Sequence, residues 1–295
     1  MTAYVDPRFR PTLWPGTPVP TPELEPVAGA HVDGDWIVWD VPNLRRERST
    51  VALPEDFYLR ELMELDPADL NTVANWMGSY GMFCGHGAGL ASANWDIEAQ
   101  EQVTRLAETE HPERTGWSIH GGLVSLYVRE AQQAVTTWLA CRRDGGLDAL
   151  VEPEVNEMRL AAIRSENSHR DEEFPRSLEH LRELELWDRL TQLKSSLQAA
   201  LNVFSVGIGS LTDRYPTIHS VAFLQMYNHM AENATVRQCA NETCCRSFVR
   251  QRGRAEYGQN RTSGIKYCTR ECARAQAQRE LRRRRKQQAS AERPA

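Results

Sequence analysis

The chain reads as a mainly α-helical protein with a small β element near its N-terminus and a separate cysteine-rich finger at its C-terminus. Three observations lead there. Apolar residues recur at helical spacing in several windows between Asp66 and Met230. A β-branched and aromatic run, Trp36-Ile37-Val38-Trp39, precedes them. Five of the seven cysteines fall between Val236 and Lys286, where the densest positive charge also sits.

In chain order, residues 1–30 hold Pro7, Pro11, Pro15, Pro18, Pro20, Pro22 and Pro26, a composition that favours extended chain and predicts a flexible arm. Residues 31–235 form an acidic α-rich domain, opened by the tryptophan-rich strand and a second strand candidate at Ser49 to Leu53. Asp66-Pro67 predicts a helix start, with Asp as N-cap and Pro at the first helical position. Leu70, Val73, Ala74 and Met77 then share one face, and Gly78 or Gly81 ends the helix. Gly85, Gly87 and Gly89 surround His86 in a glycine-rich loop, read as mobile because no Lys-Ser/Thr follows to make a phosphate cradle. A helix from Leu123 carries Val124, Val128, Ala131, Val135, Trp138 and Leu139 to a stop at Gly145-Gly146. After an acidic, arginine-containing stretch from Arg164 to Glu173, a longer helix is predicted over Ser177 to Phe204. Its inner side carries Leu186, Leu190, Leu193, Leu197, Leu201 and Phe204. Pro216 to Met230 is the last helix before the finger.

The finger occupies residues 236–286, with 287–295 as a disordered tail. Cys239 and Cys244 enclose four residues, Cys268 and Cys272 enclose three, and 23 residues separate the pairs. This is the layout of a four-thiolate Zn²⁺ site, in which two short loops each present two sulfurs to one tetrahedral ion. Residues Gln238 to Arg246 make the first knuckle. A helix starting near Cys268 places Cys268 and Cys272 at i and i+4, on one face. Knuckle, hairpin and helix in that order describe a treble-clef finger. Cys245 competes with Cys244 as ligand, and the four-residue knuckle falls in the usual range. Disulfides are the alternative for the whole set. They fit poorly with a polar, proline-rich Met1 to Pro26 lacking the apolar core of a secretory signal, which predicts a cytoplasmic protein.

The stretch from Arg237 to about Lys286 resembles the finger of bacterial CGNR-type proteins, which join an α-rich N-terminal domain, often called ABATE, to a C-terminal four-cysteine finger. The resemblance implies that Cys239, Cys244, Cys268 and Cys272 hold metal and that Phe248 is the hairpin aromatic. It further implies a stress-related transcription regulator. Where the family reads Cys-Gly-Asn-Arg, this chain reads Cys272-Ala273-Arg274-Ala275.

Charge divides the chain. Arg237 to Lys286 carries 15 Lys and Arg against 4 Asp and Glu, a balance of +11, whereas Met1 to Val236 holds 19 basic and 35 acidic residues, a balance of −16. A compact basic module attracts polyanions through counterion release. The predicted nucleic-acid contacts are Arg250, Arg252, Arg254, Arg261, Lys266, Arg270, Arg274, Arg282, Arg283, Arg284, Arg285 and Lys286. DNA is the expected partner, with RNA as the variant. The competing reading is a zinc-stapled protein-interaction module whose basic helix grips an acidic partner or the protein's own body. A homodimer and an unidentified ligand of the α-rich domain are both compatible with the sequence.

No catalytic constellation emerges. The eight histidines are scattered without a His-Glu-x-x-His pair, and Gly207-Ile208-Gly209-Ser210 lacks the flanking glycines of a nucleophile elbow. The finger holds no histidine to activate water, so a closed structural metal site is expected rather than an enzyme. No run approaches the ~20 apolar residues that a membrane-spanning helix needs.

Overall fold

The computed structural model describes residues 4–9, 18–41, 49–84, 101–103, 105, 109, 117–166, 175–204, 215–250 and 266–291. The chain divides into two compact units, Met1–Glu232 and Asn233–Ala295. Both are mainly helical with small antiparallel sheets. The glycine-rich loop around His86 and the Gly207 to Ser210 stretch lie outside the described residues.

In the first unit, β1 (His31–Asp33) and β2 (Trp36–Val38) form a hairpin, with Asp33 opposite Trp36. Its two-residue turn begins at Gly34, whose φ of +60° suits the glycine-first turns that match strand twist. The third strand is β3 (Ser118–His120), pairing His120 with Trp36 on the other side of β2. The second strand expected at Ser49 to Leu53 does not form. Val51 makes only an isolated bridge to Leu24, and Pro54, which has no N–H to donate, follows within three residues.

Helix α1 (Phe57–Arg60) is one turn long and buries Phe57, Tyr58 and Leu59. Helix α2 spans Leu70–Ser79 and buries Val73, Ala74, Trp76 and Met77. It starts a turn later than expected: Asp69, not Asp66, is the cap, its carboxylate accepting from Thr72 N at 3.1 Å. Asp66 accepts from Ala68 N at 2.9 Å in the preceding turn, so the Asp-Pro pair shapes the entry rather than the helix. Beyond the end of α2, Gly81 lies at φ +148°, and a Cβ there would sit 2.8 Å from the Glu25 carbonyl oxygen.

Helix α3 (Gly121–Cys141) continues directly from β3, two residues earlier than expected, with the His120 ring accepting from Gly122 N at 3.0 Å. Every member of its predicted apolar stripe is buried. It packs against α6 (Leu178–Leu201), which packs in turn against α7 (Ile218–Ala231). Ser177 caps α6 by accepting from His180 N at 3.1 Å. Two shorter helices, α4 (Gly146–Val151) and α5 (Glu157–Glu166), lie between α3 and α6 in sequence.

Helix α7 is buried on nearly every side. Thr217 and Ser220 close a capping box at its start, and its first donors, Ile218 N and His219 N, reach the carbonyls of Met82 and Phe83 at 2.8 and 3.0 Å. It carries the buried Phe223, and around it lie the fully buried Phe57, Tyr58, Phe83 and Trp138.

The proline-rich segment is anchored wherever it is described, in contrast to the flexible arm the composition predicts. Asp6 is fully buried between two helix ends: its N–H donates to Cys141 O of α3 at 2.7 Å, and its carboxylate accepts from Leu147 N of α4 at 3.2 Å. The Arg8 guanidinium, bonded to that carboxylate at 2.7 Å, holds its pKa down at about 2. Phe9 packs on the cluster of Ala140, Cys141, Leu147, Val151 and Leu186. Farther on, Val27 N donates to Met77 O at 2.9 Å, and Val19 exchanges two 2.8 Å hydrogen bonds with the Asn228 side chain. Proline spacing reports backbone stiffness and not the tertiary partners that hold stiff chain in place.

The second unit begins at Asn233, slightly before the expected boundary. Its described residues hold the hairpin β4 (Thr235–Gln238) and β5 (Ser247–Arg250), with Thr235 opposite Arg250, and helix α8 (Arg270–Ala291). That helix continues through most of the tail that the sequence reads as disordered.

Candidate metal centre

The first cysteine pair sits in the loop that joins β4 to β5. Cys239 N donates to Arg246 O at 2.8 Å, so the ladder continues one step past the strands and the loop between closes as a knuckle. Inside it, the Asn241 side chain accepts from Thr243 N at 3.1 Å, and Asn241 O accepts from Cys244 N at 2.9 Å. These asparagine turns curl the loop so that residue 244 faces residue 239. Cys245 ends the curl at φ +49°, a left-handed conformation that costs a non-glycine residue on the order of 1 kcal/mol.

The second pair arrives on a different support. Ala240 N donates to Lys266 O at 2.7 Å, and Cys268 N–H points at Cys239 Sγ at 3.4 Å. Helix α8 starts after Cys268, with Thr269 closing its first turn: Thr269 Oγ1 accepts from Cys272 N at 3.2 Å and Thr269 O from Ala273 N at 3.2 Å. Cys268 therefore lies just ahead of the helix and Cys272 inside its first turn, a small departure from two ligands on one helical face.

The four sulfurs converge. Cys239, Cys244, Cys268 and Cys272 place their Sγ atoms within 4.8 Å of one another, with Cys244 to Cys268 at 3.6 Å and Cys268 to Cys272 at 3.5 Å. A tetrahedron with metal–sulfur bonds of about 2.3 Å has sulfur–sulfur edges near 3.8 Å, so the cluster is compatible with Zn²⁺. The same distances are far longer than the roughly 2.05 Å of a disulfide, and all seven cysteines are free. Cys245 is exposed, and its sulfur faces the Asn241 and Glu242 carbonyls at 3.8 and 3.7 Å. The choice between Cys244 and Cys245 thus falls to Cys244.

Burial raises the Cys244 and Cys268 thiols above their ordinary range, whereas the Thr269 hydroxyl beside Cys272 lowers that thiol to about 7. Four sulfurs this close cannot all ionise unaided. A bound dication removes the conflict by deprotonating the thiols it coordinates.

A polar lattice, missed in the sequence, locks α8 onto the knuckle. Asn241 is buried: its Nδ2 donates to Cys272 O at 3.2 Å, and its Oδ1 accepts from Arg279 Nη1 at 2.6 Å. The buried Gln276 accepts from Glu242 N at 3.3 Å and donates to Glu242 Oε1 at 3.0 Å. Arg283 bridges both Glu242 oxygens at 2.7 and 2.5 Å, which lowers the Glu242 pKa. Gln276, Arg279 and Arg283 follow Cys272 by 4, 7 and 11 positions, so helical repeat brings all four to one side. That repeat is the signal from which the lattice is readable, once the helix start is known.

Of the expected nucleic-acid contacts, Arg283 holds both Glu242 oxygens in a fork geometry. Lys266, Arg270, Arg274, Arg282, Arg284, Arg285 and Lys286 are exposed. Arg250 ends β5, and Arg252, Arg254 and Arg261 lie outside the described residues. No protein-family model, curated protein or solved structure matches the chain.

In the first unit, Tyr58 Oη lies 2.7 Å from His229 Nδ1, and His229 Nε2 lies 3.6 Å from Asp56 Oδ1. The ring and phenol are buried, 4% and 1% exposed, and the array links α1 to α7. Among the described residues, no helix is long and apolar enough to cross a membrane.

Proposed function

We propose that the second unit is a zinc-stapled, treble-clef-type finger that binds duplex DNA, and that the protein is a non-catalytic, cytoplasmic transcription regulator. The carrying observation is the convergence of four cysteine sulfurs at tetrahedral edge lengths beneath a helix rich in arginine. Four thiolates fill a zinc ion's coordination, so the metal serves structure and the cations serve binding. The +11 balance of Arg237 to Lys286 supports a polyanion partner, because each phosphate neutralised releases condensed counterions. The resemblance to CGNR-type fingers points the same way and supplies the regulatory expectation.

The test has two parts. Metal analysis of the purified full chain should return one zinc per chain, lost on changing Cys239, Cys244, Cys268 or Cys272 to Ser and retained in Cys245→Ser. Titration of DNA binding against salt should then give a steep linear log–log slope. A zinc-free but folded second unit, or a flat slope, would sink the reading.

A further inference from the structure

Helix α8 has two faces with different work. Taking Cys272 as zero and about 100° per residue, Gln276, Arg279 and Arg283 lie within about 40° of it, which is the side bonded to the knuckle. Arg274, Leu281, Arg285 and Gln288 fall between about 160° and 220°, on the opposite side, and all four are exposed. Leu281 is 50% exposed there, an apolar side chain in the middle of the most polar of the described helices. Arg282 and Arg284 flank this strip at about 280° and 120°.

Arg283 binds Glu242 of the knuckle three turns into α8. Residues 284–291 continue as helix for roughly a further 12 Å at 1.5 Å per residue. A bare helix of that width, about 10–12 Å across, matches the roughly 12 Å opening of the DNA major groove.

We infer that the outward face of α8 enters the major groove of duplex DNA, with Arg282 and Arg284 gripping phosphates on the two walls and Leu281, Arg285 and Gln288 facing the base edges. The inference rests on the DNA-binding reading above and adds which side of the helix makes contact. The occupant follows from chemistry. Cations on both flanks match the two phosphate walls of a groove, and between them lie an arginine suited to guanine, an amide suited to adenine and an apolar side chain suited to a thymine methyl. Arg279 and Arg283, equally cationic, are excluded because the knuckle holds them.

The experiment uses the full chain loaded with zinc and a short fluorescent random-sequence DNA duplex, with anisotropy followed between about 50 and 300 mM salt. Arg282→Gln with Arg284→Gln should lower the log–log slope by about 1.8, two contacts at about 0.9 each, while zinc content stays at the wild-type level. Leu281→Ser and Arg285→Gln, selected against a random duplex pool, should each change or flatten the enriched sequence. If the wild-type chain binds DNA but the Arg282/Arg284 double variant keeps its slope, other cations make the contacts and the groove assignment fails. Equal or tighter binding to a duplex RNA of the same sequence also overturns it, since the A-form major groove is too narrow for a helix. If the wild-type chain binds no duplex at all, the DNA-binding reading itself falls.

Discussion

The two units hold themselves together by different means. The first surrounds α7, itself carrying the buried Phe223, with Phe57, Tyr58, Phe83 and Trp138, all essentially removed from water, and buried polar groups such as Asp6, Thr217 and Ser220 close helix ends. Among its described residues, the second unit buries only Ala234, Cys239, Phe248 and Val249 as apolar side chains, beside the buried polar Asn241 and Gln276. Four apolar side chains make a small core for the described part of that unit. The contrast teaches where each unit's stability has to be sought: in apolar burial for the first and, on the proposed reading, in metal binding for the second.

The strongest way to break this comparison is to remove the metal. Chelation under reducing conditions should withdraw stabilisation of roughly 10–16 kcal/mol from the second unit. Hydrogen exchange should then find the α8 amides unprotected while those of α3, α6 and α7 stay protected. Protection of α8 in metal-free protein would erase the distinction.

The reciprocal experiment cuts the apolar core. Trp138→Ala should lower the stability of the first unit by about 3–5 kcal/mol in urea unfolding, with zinc stoichiometry unchanged. Loss of zinc in that variant would mean that the two units are not energetically separable.

Acid should sharpen the contrast from the side of the core. Burial holds His219 at about 3 and His229 at about 4, below the ordinary 6.5, and His219 Nε2 has no hydrogen-bond partner. Below pH 6.5 the unfolded chain takes up protons that the folded unit refuses. Stability therefore falls as pH drops from 6.5 towards 4, by up to about 1.4 kcal/mol per pH unit for each histidine. Urea midpoints of the first unit, measured between pH 7 and 5, should follow this trend, and His219→Phe should flatten it. An unchanged slope in that variant would show that the proton is taken up elsewhere.

The smallest effect concerns the lattice around the metal. Asn241→Ala removes the acceptor for Arg279 and the donor to Cys272 O, which should cost about 1–3 kcal/mol. Competition with a colorimetric chelator should find zinc bound some 10–100-fold more weakly. Unaltered affinity would leave the sulfurs alone responsible for the geometry.

The metal centre was the most legible part of the sequence because its signal is local: ligand spacing and sulfur chemistry leave few arrangements for Cys239, Cys244, Cys268 and Cys272. Helices α2, α3, α6 and α7 were legible through periodicity, with starts displaced by between one residue and a turn, α2 because Asp69 caps it in place of Asp66 and α3 because it continues directly from β3 at His120. The third strand was not legible. Ser118–His120 is a short segment some eighty residues from its partner Trp36–Val38, and no local pattern records that pairing. The anchoring of Asp6 was equally hidden, since the groups it satisfies are the end of α3 and the start of α4.

Short-range information, then, determined the helical character of the body, the cysteine set and the concentration of positive charge in the last fifth of the chain. Tertiary structure left Cys245 outside the sulfur cluster, as the knuckle spacing favours, and alone brought the N-terminal segment onto the helices and separated the arginines that hold the knuckle from those turned outward. The reason is physical. Periodicity and ligand spacing are properties of neighbouring residues, but the partner of a guanidinium or a buried carboxylate is set by whichever distant atoms the packed chain carries to within hydrogen-bond reach.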